Sequence, residues 1–207
     1  MKKKLLVTSL ALLGGLGVCS TASATISGSA HDFATASGFM GAGGQICLPC
    51  HAPHNNKNAA GEILWNHDNT TQTFVMYDSP TLDGTILGQP AGVSKFCLSC
   101  HDGVTAIDAY TAHAGTETIQ VAYPGTTANL GVGLSDDHPI SIKYDPVADV
   151  GGLNAVGTLP VSIKLFGAAS DQVECGSCHD VHNKYNIAKL LNVTMVGSAL
   201  CLECHSK

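Results

Sequence analysis

The chain has 207 residues, a length that suits one or two ordinary domains, yet charged residues make up only 13% of it and aromatic residues 5%. Globular chains carry about 25% charged residues, and a core built on Phe, Tyr and Trp is excluded by this composition, so the apolar bulk has to come from elsewhere. All ten basic residues are lysine and the formal net charge is −6; without arginine forks or a basic surface, nucleic-acid binding is excluded as a function.

In chain order, Lys2, Lys3 and Lys4 precede an apolar run from Leu5 to Val18, and Ala22-Ser23-Ala24 follows as a small-residue cleavage site. This pattern predicts a secretory signal peptide over 1–24 and a mature domain over 25–207. The run is too short to cross about 30 Å of hydrocarbon as a helix, and no second apolar segment follows it, so no membrane span is expected. Losing three lysines leaves the exported chain more acidic still. Cys19 departs with the leader.

Eight cysteines remain, and they fall into four strings: Cys47-Leu48-Pro49-Cys50-His51, Cys97-Leu98-Ser99-Cys100-His101, Cys175-Gly176-Ser177-Cys178-His179 and Cys201-Leu202-Glu203-Cys204-His205. Each reads C-x-x-C-H, the attachment pattern of c-type haem. Two thiols three positions apart reach the two vinyl groups of one porphyrin, and the next residue brings its imidazole under the iron. A disulfide scaffold or a zinc ribbon leaves a histidine after every pair unexplained. Four covalent c-type haems are therefore expected, with Cys47, Cys50, Cys97, Cys100, Cys175, Cys178, Cys201 and Cys204 as attachment points and His51, His101, His179 and His205 as proximal iron ligands. The porphyrins then supply the missing apolar bulk, and folding depends on them.

Six more histidines stand between the strings. His31 precedes Asp32-Phe33; His54 and His182 each lie three residues after a proximal histidine; His67 follows Leu64-Trp65-Asn66; His138 sits in Asp136-Asp137-His138-Pro139, where carboxylates could orient its ring; His113 lies in a Thr/Ala/Gly stretch. The mature chain has too few methionines to cap four irons, so bis-histidine coordination is expected. His31, His54, His67, His138 and His182 are the five candidates for four distal positions, and His113 reads as solvent-facing. His54 and His182 are too close in sequence to their own proximal ligands to reach round the porphyrin, so each is expected to cap a neighbouring haem.

The strings are arranged as an internal repeat. Cys50-His51-Ala52-Pro53-His54-Asn55 matches Cys178-His179-Asp180-Val181-His182-Asn183, and each is followed by a C-L-x-C-H string. The chain therefore divides into a haem pair over 47–101, an insert over 103–174 and a second haem pair over 175–205. Regular structure is expected to be sparse: alternation predicts strands at Ile140–Tyr144 and Val161–Leu165, expected to pair, another at Thr73–Tyr77, and a short helix at Ile187–Asn192. The fold class is a multihaem cytochrome c, mostly coil wrapped around four stacked haems, with few short helices and strands.

The doubled strings, together with Ser29-Ala30-His31-Asp32-Phe33, Leu64-Trp65-Asn66-His67 and Asp137-His138-Pro139-Ile140-Ser141, resemble the extracellular filament-forming tetrahaem cytochromes of metal-reducing bacteria over nearly the whole mature chain. The resemblance implies bis-histidine haems stacked in a continuous chain and one axial histidine donated by a neighbouring subunit. The expected function is an exported electron-transfer protein, a subunit of a conductive extracellular filament that meets other copies of itself head-to-tail and passes electrons to redox partners or extracellular acceptors. The alternative is a monomeric periplasmic tetrahaem carrier. A multihaem reductase is the weakest reading, because an enzyme needs an open iron position and the histidines suffice to fill every site.

Overall fold

The computed structural model describes residues 26–34, 44–54, 57, 63–110 and 113–206; the expected leader over 1–24 lies outside them. Among the described residues the longest element is helix α1, Gly92–His101. Its spacing turns Ser94, Leu98 and Ser99 to a buried face, where Leu98 packs against Phe74 and Leu134. Cys97, Cys100 and His101, three and four residues apart, share an adjoining face.

A short antiparallel ribbon follows, β1 (Ala109–Tyr110) with β2 (His113–Ala114). The buried Asp108 carboxylate accepts the N–H groups of Thr116 and Glu117 at 2.8 and 3.0 Å and closes the ribbon's far end. Gly115 is required there, because a Cβ at that position would lie 2.4 Å from the Ala109 nitrogen. Helix α2 (Ile119–Ala122) leads on to β3 (Ile142–Lys143), which pairs antiparallel with β4 (Gln172–Val173). Two short helices carry the last two strings: α3 (Cys175–Cys178) and α4 (Ala199–Cys204). No helix among the described residues is long and apolar enough to cross a membrane.

The coil-rich expectation holds, with differences of detail. Ile140–Tyr144 does yield a strand, β3, but its partner is β4 and not Val161–Leu165. There Pro160 opens a turn, closed by the Ile163 N–H on the Pro160 carbonyl at 2.9 Å, and Val161 is 91% exposed. Thr73–Tyr77 contributes one bridge, Val75 to Gly133. In Ile187–Asn192 only a 3-10 turn forms, Ala188–Leu190, broken by left-handed Lys189.

Among the described residues three small apolar clusters take the place of one core. They centre on Tyr110, on Phe74 with Leu98 and Leu134, and on Ile142 with Tyr144 and Val173. Buried Glu174 ties elements together: it accepts hydrogen bonds from the hydroxyls of Ser94 in α1 and Ser141 beside β3, and it caps α3 reciprocally with Ser177.

The internal repeat is also a repeat of conformation. In the first half the Ala52 N–H donates to the Leu64 carbonyl at 3.0 Å and the Asn66 N–H to the Cys50 carbonyl at 2.9 Å; in the second half Asp180 donates to Leu190 and Asn192 to Cys178, both at 2.8 Å. Ile63 and Leu64 are left-handed, as are Lys189 and Leu190. The Asn66 side chain donates to the Leu48 carbonyl at 2.6 Å, and the Asn192 side chain to the equivalent Gly176 carbonyl at 3.3 Å and to that of Ser177 at 3.1 Å. Leu64-Trp65-Asn66 and Leu190-Leu191-Asn192 therefore play one part twice, across return loops that differ by two residues.

Candidate functional site

Each C-x-x-C-H string closes into one helical turn. The His51 N–H donates to the Cys47 carbonyl at 2.8 Å, that of His179 to Cys175 at 3.0 Å and that of His205 to Cys201 at 2.9 Å. Cys97 to His101 forms the last turn of α1. Such a turn sets both thiols and the imidazole on one side of the backbone, as two thioethers and an axial ligand to a single porphyrin require.

Backbone carbonyls hold three of the proximal rings. Nδ1 of His51 donates to Ile63 at 2.7 Å, that of His101 to Ala128 at 2.6 Å and that of His179 to Lys189 at 3.0 Å. A carbonyl only accepts, so the proton resides on Nδ1 and Nε2 keeps the lone pair that a metal takes. The left-handed backbone at Ile63 and Lys189 aims these carbonyls. A non-glycine residue in that region costs on the order of 1–2 kcal/mol, and the same cost recurs at the same place in both halves.

Three further histidines face proximal ones. The His51 and His182 ring centroids are 6.2 Å apart with planes 14° from parallel, those of His31 and His101 are 6.0 Å apart, and those of His138 and His205 are 6.3 Å apart. An iron bonded to two Nε2 atoms at about 2 Å each would separate the centroids by roughly 6.3 Å. All three spacings fit a metal between the rings. Burial pushes the His31 imidazole down to about 4, with His101, His179 and His182 adding to the effect. Burial, with His205, also lowers His138, although the Pro139 carbonyl that accepts its Nδ1–H opposes this. Both rings are thus held neutral near pH 7, the form that ligates. The ring of His138 is oriented by the Pro139 carbonyl at 3.0 Å and not by Asp136 or Asp137.

The remaining histidines sit differently. His67 is buried, with Nδ1 on the Asp68 carbonyl at 2.7 Å and Nε2 3.1 Å from the Ile107 carbonyl and 3.6 Å from Cys100 Sγ. His113 is exposed, bonded through Nδ1 to the Asp108 carbonyl at 2.7 Å, its ring parallel to that of Tyr110. His54 is exposed at the end of the first string's turn. Among the described residues no imidazole stands opposite His179.

The four attachment turns form a continuous series. Cys50 lies within electrostatic reach of Cys97 and Cys100. Cys97 and Cys175 lie close to each other where α1 meets α3, and Cys178 lies within reach of Cys201 and Cys204. Burial pushes the Cys50 and Cys178 thiols up to about 11. A cavity of about 360 Å³, lined by Ile63, Val93, Phe96 and Phe166 with Glu174 at its polar edge, opens beside the α1–α3 contact. That volume lies in the range of roughly 300–1,000 Å³ typical of small-molecule sites. Trp65 packs against Phe96, and its buried indole N–H has no acceptor among the described residues, which suits an anionic partner such as a porphyrin carboxylate.

The carbonyls of Ile63, Ala128, Pro139 and Lys189 are functional groups that residue types do not reveal; only the repeated Leu-x-Asn could have pointed to two of them. Residues 167–207 match the doubled CXXCH motif family, and no curated protein matches the chain. The family match, set beside the paired strings and their turn geometry, supports a multihaem c-type cytochrome that transfers electrons.

Proposed function

We propose that the chain is an exported tetrahaem electron-transfer protein whose irons carry two histidines each. The observation that carries this reading is the set of three imidazole pairs, 6.0, 6.2 and 6.3 Å apart, each joining a proximal histidine to one from elsewhere in the chain. When bound, the haems supply one-electron chemistry; the chain's own residues hold them in sequence. His182 serves with His51, His31 with His101 and His138 with His205. The thiols of each string fix each porphyrin edge, and the closeness of the strings to one another lets electrons pass between their haems. The three pairs leave their irons no open position for a substrate, so the reading is a carrier and not an enzyme. The test is the haem content and spin state of the matured protein. Four haems per chain, all low-spin and unreactive toward carbon monoxide when reduced, are expected; a high-spin haem in the wild type or a count below four overturns the reading.

Assembly into a filament is the finer proposal. Val150 and Val196 are 84% and 80% exposed; Val196 comes just before α4, and the segment 150–154 lies directly on the fourth string through bonds to Cys204 and Glu203. An apolar surface beside the last haem suits a second copy. Against an N-terminal ligand donated to a partner, His31 faces His101 of its own chain, which favours the monomeric carrier on that single point. Elution of the native protein on a sizing column decides between them: the void volume for a filament, about 20 kDa of globular protein for a carrier.

A further inference from the structure

The third string is the one whose proximal histidine faces no other imidazole among the described residues. Its Nε2 is nonetheless prepared as a ligand, because Nδ1 is tied to the Lys189 carbonyl. Three histidines are unassigned. His67 is buried beside the second string and not the third, with Nε2 3.6 Å from Cys100 Sγ. His113 lies along Tyr110 in the β1–β2 ribbon. His54 remains, and it holds the position in the first half that His182 holds in the second.

The second half already shows what that position does. His182, three residues after His179, stands 6.2 Å from His51. The backbone around the two strings is duplicated bond for bond: the same paired N–H to carbonyl contacts, the same left-handed pair, the same asparagine clamp. His54 cannot serve the first iron, since its proximal side is taken by His51 and its distal side is faced by His182. A segment of three residues spans at most about 10 Å, so the iron that takes His54 must be an immediate neighbour of the iron that takes His51.

We propose that His54 completes the iron opposite His179, so that the first and third haems exchange distal ligands: His182 to the first, His54 to the third. The inference rests on the tetrahaem reading above. Its consequence is a closed ring of iron, His51, His54, iron, His179 and His182, in which two short peptide bridges hold two porphyrins face to face. Two irons so near one another also feel each other's charge, so reduction of one should make reduction of the other harder.

The test uses the full chain matured with haem. In the His54→Ala protein one haem of four should become high-spin and bind carbon monoxide, and added imidazole should restore the low-spin spectrum. To locate that haem, the third attachment site is removed by Cys175→Ala with Cys178→Ala; adding His54→Ala to this background should create no new high-spin species. A new one there shows that His54 serves another iron and overturns the proposal. So does a low-spin, carbon-monoxide-inert His54→Ala protein. Should His54→Ala fail to mature, the wild type still answers: diethyl pyrocarbonate should modify exposed His113 and spare His54, and modification of His54 in fully loaded protein overturns the assignment. Fewer than four haems, or a high-spin haem, in the wild type would instead refute the tetrahaem reading itself.

Discussion

An imidazole is ready to ligate a metal when something else fixes its proton and its angle, and in this chain backbone carbonyls do so. Directly after His101, Asp102 is 1% exposed and accepts four hydrogen bonds: from the hydroxyls of Thr70 and Thr105, each at 2.6 Å, and from the N–H groups of Val104 and Thr105 at 2.8 and 2.7 Å. Asp102→Ala strands those donors, and each one left buried and unpaired costs about 1–3 kcal/mol. We expect a loss of about 3 kcal/mol or more in stability, with Asp102→Asn milder because its amide oxygen still accepts; thermal unfolding of the two loaded variants checks the order. Glu174 offers a second test. Burial raises its carboxyl above the usual range against the opposing hydrogen bonds of Ser94 and Ser141. A raised carboxyl contributes its full stability below its ordinary value, near 4.5, and loses it as pH rises through the folded value. Glu174→Gln should therefore show a smaller fall in melting temperature between pH 4 and pH 7 than the wild type, and an unchanged slope would show that Glu174 is not the titrating group.

At the scale of elements, the unit that recurs is neither a helix nor a strand. It is a C-x-x-C-H turn clamped by a returning Leu-x-Asn segment. The clamp works through amide side chains: Asn66 is fully buried on the Leu48 carbonyl, and Asn192 is buried on Ser177. Asn66→Ala and Asn192→Ala should each cost about 1–2 kcal/mol. As equivalent parts of two separate turns, they should add within about 0.5 kcal/mol in the double variant; a large non-additivity, measured by denaturant unfolding, would mean the two halves are not independent clamps. The ribbon β1–β2 makes a different demand. With a Cβ 2.4 Å from the Ala109 nitrogen, Gly115→Ala must push backbone apart, at a cost of about 1–3 kcal/mol.

For the whole molecule, three small apolar clusters are too little to carry a fold of this length. The porphyrins are expected to do so. Chain expressed without haem attachment should unfold without a cooperative transition and show coil-like far-ultraviolet dichroism; a sharp two-state melt would contradict a cofactor-dependent core. The exposed valines beside the fourth string belong to this scale as well. Val150→Lys, at a side chain 84% exposed in the native fold, should leave haem content unchanged. If the apolar surface joins copies, it should also reduce the apparent size of the native assembly in light scattering.

The sequence by itself determined the chemistry. Two cysteines and a histidine in five positions form one helical turn through local hydrogen bonds alone, so the doubled C-x-x-C-H pattern of a multihaem c-type cytochrome could be read from spacing. The abundance of glycine, threonine and asparagine likewise foretold how little regular structure there is. Which imidazoles face one another was decided only by tertiary structure, because His31 with His101 and His138 with His205 join residues some 70 apart, and His51 with His182 spans the whole insert. The partner of β3 was hidden for the same reason: Val161–Leu165 and Gln172–Val173 are both apolar enough, but Pro160 turns the first away. The carbonyls of Ile63, Ala128, Pro139 and Lys189 carry no side-chain signature, and only the folded backbone shows which imidazole each one holds.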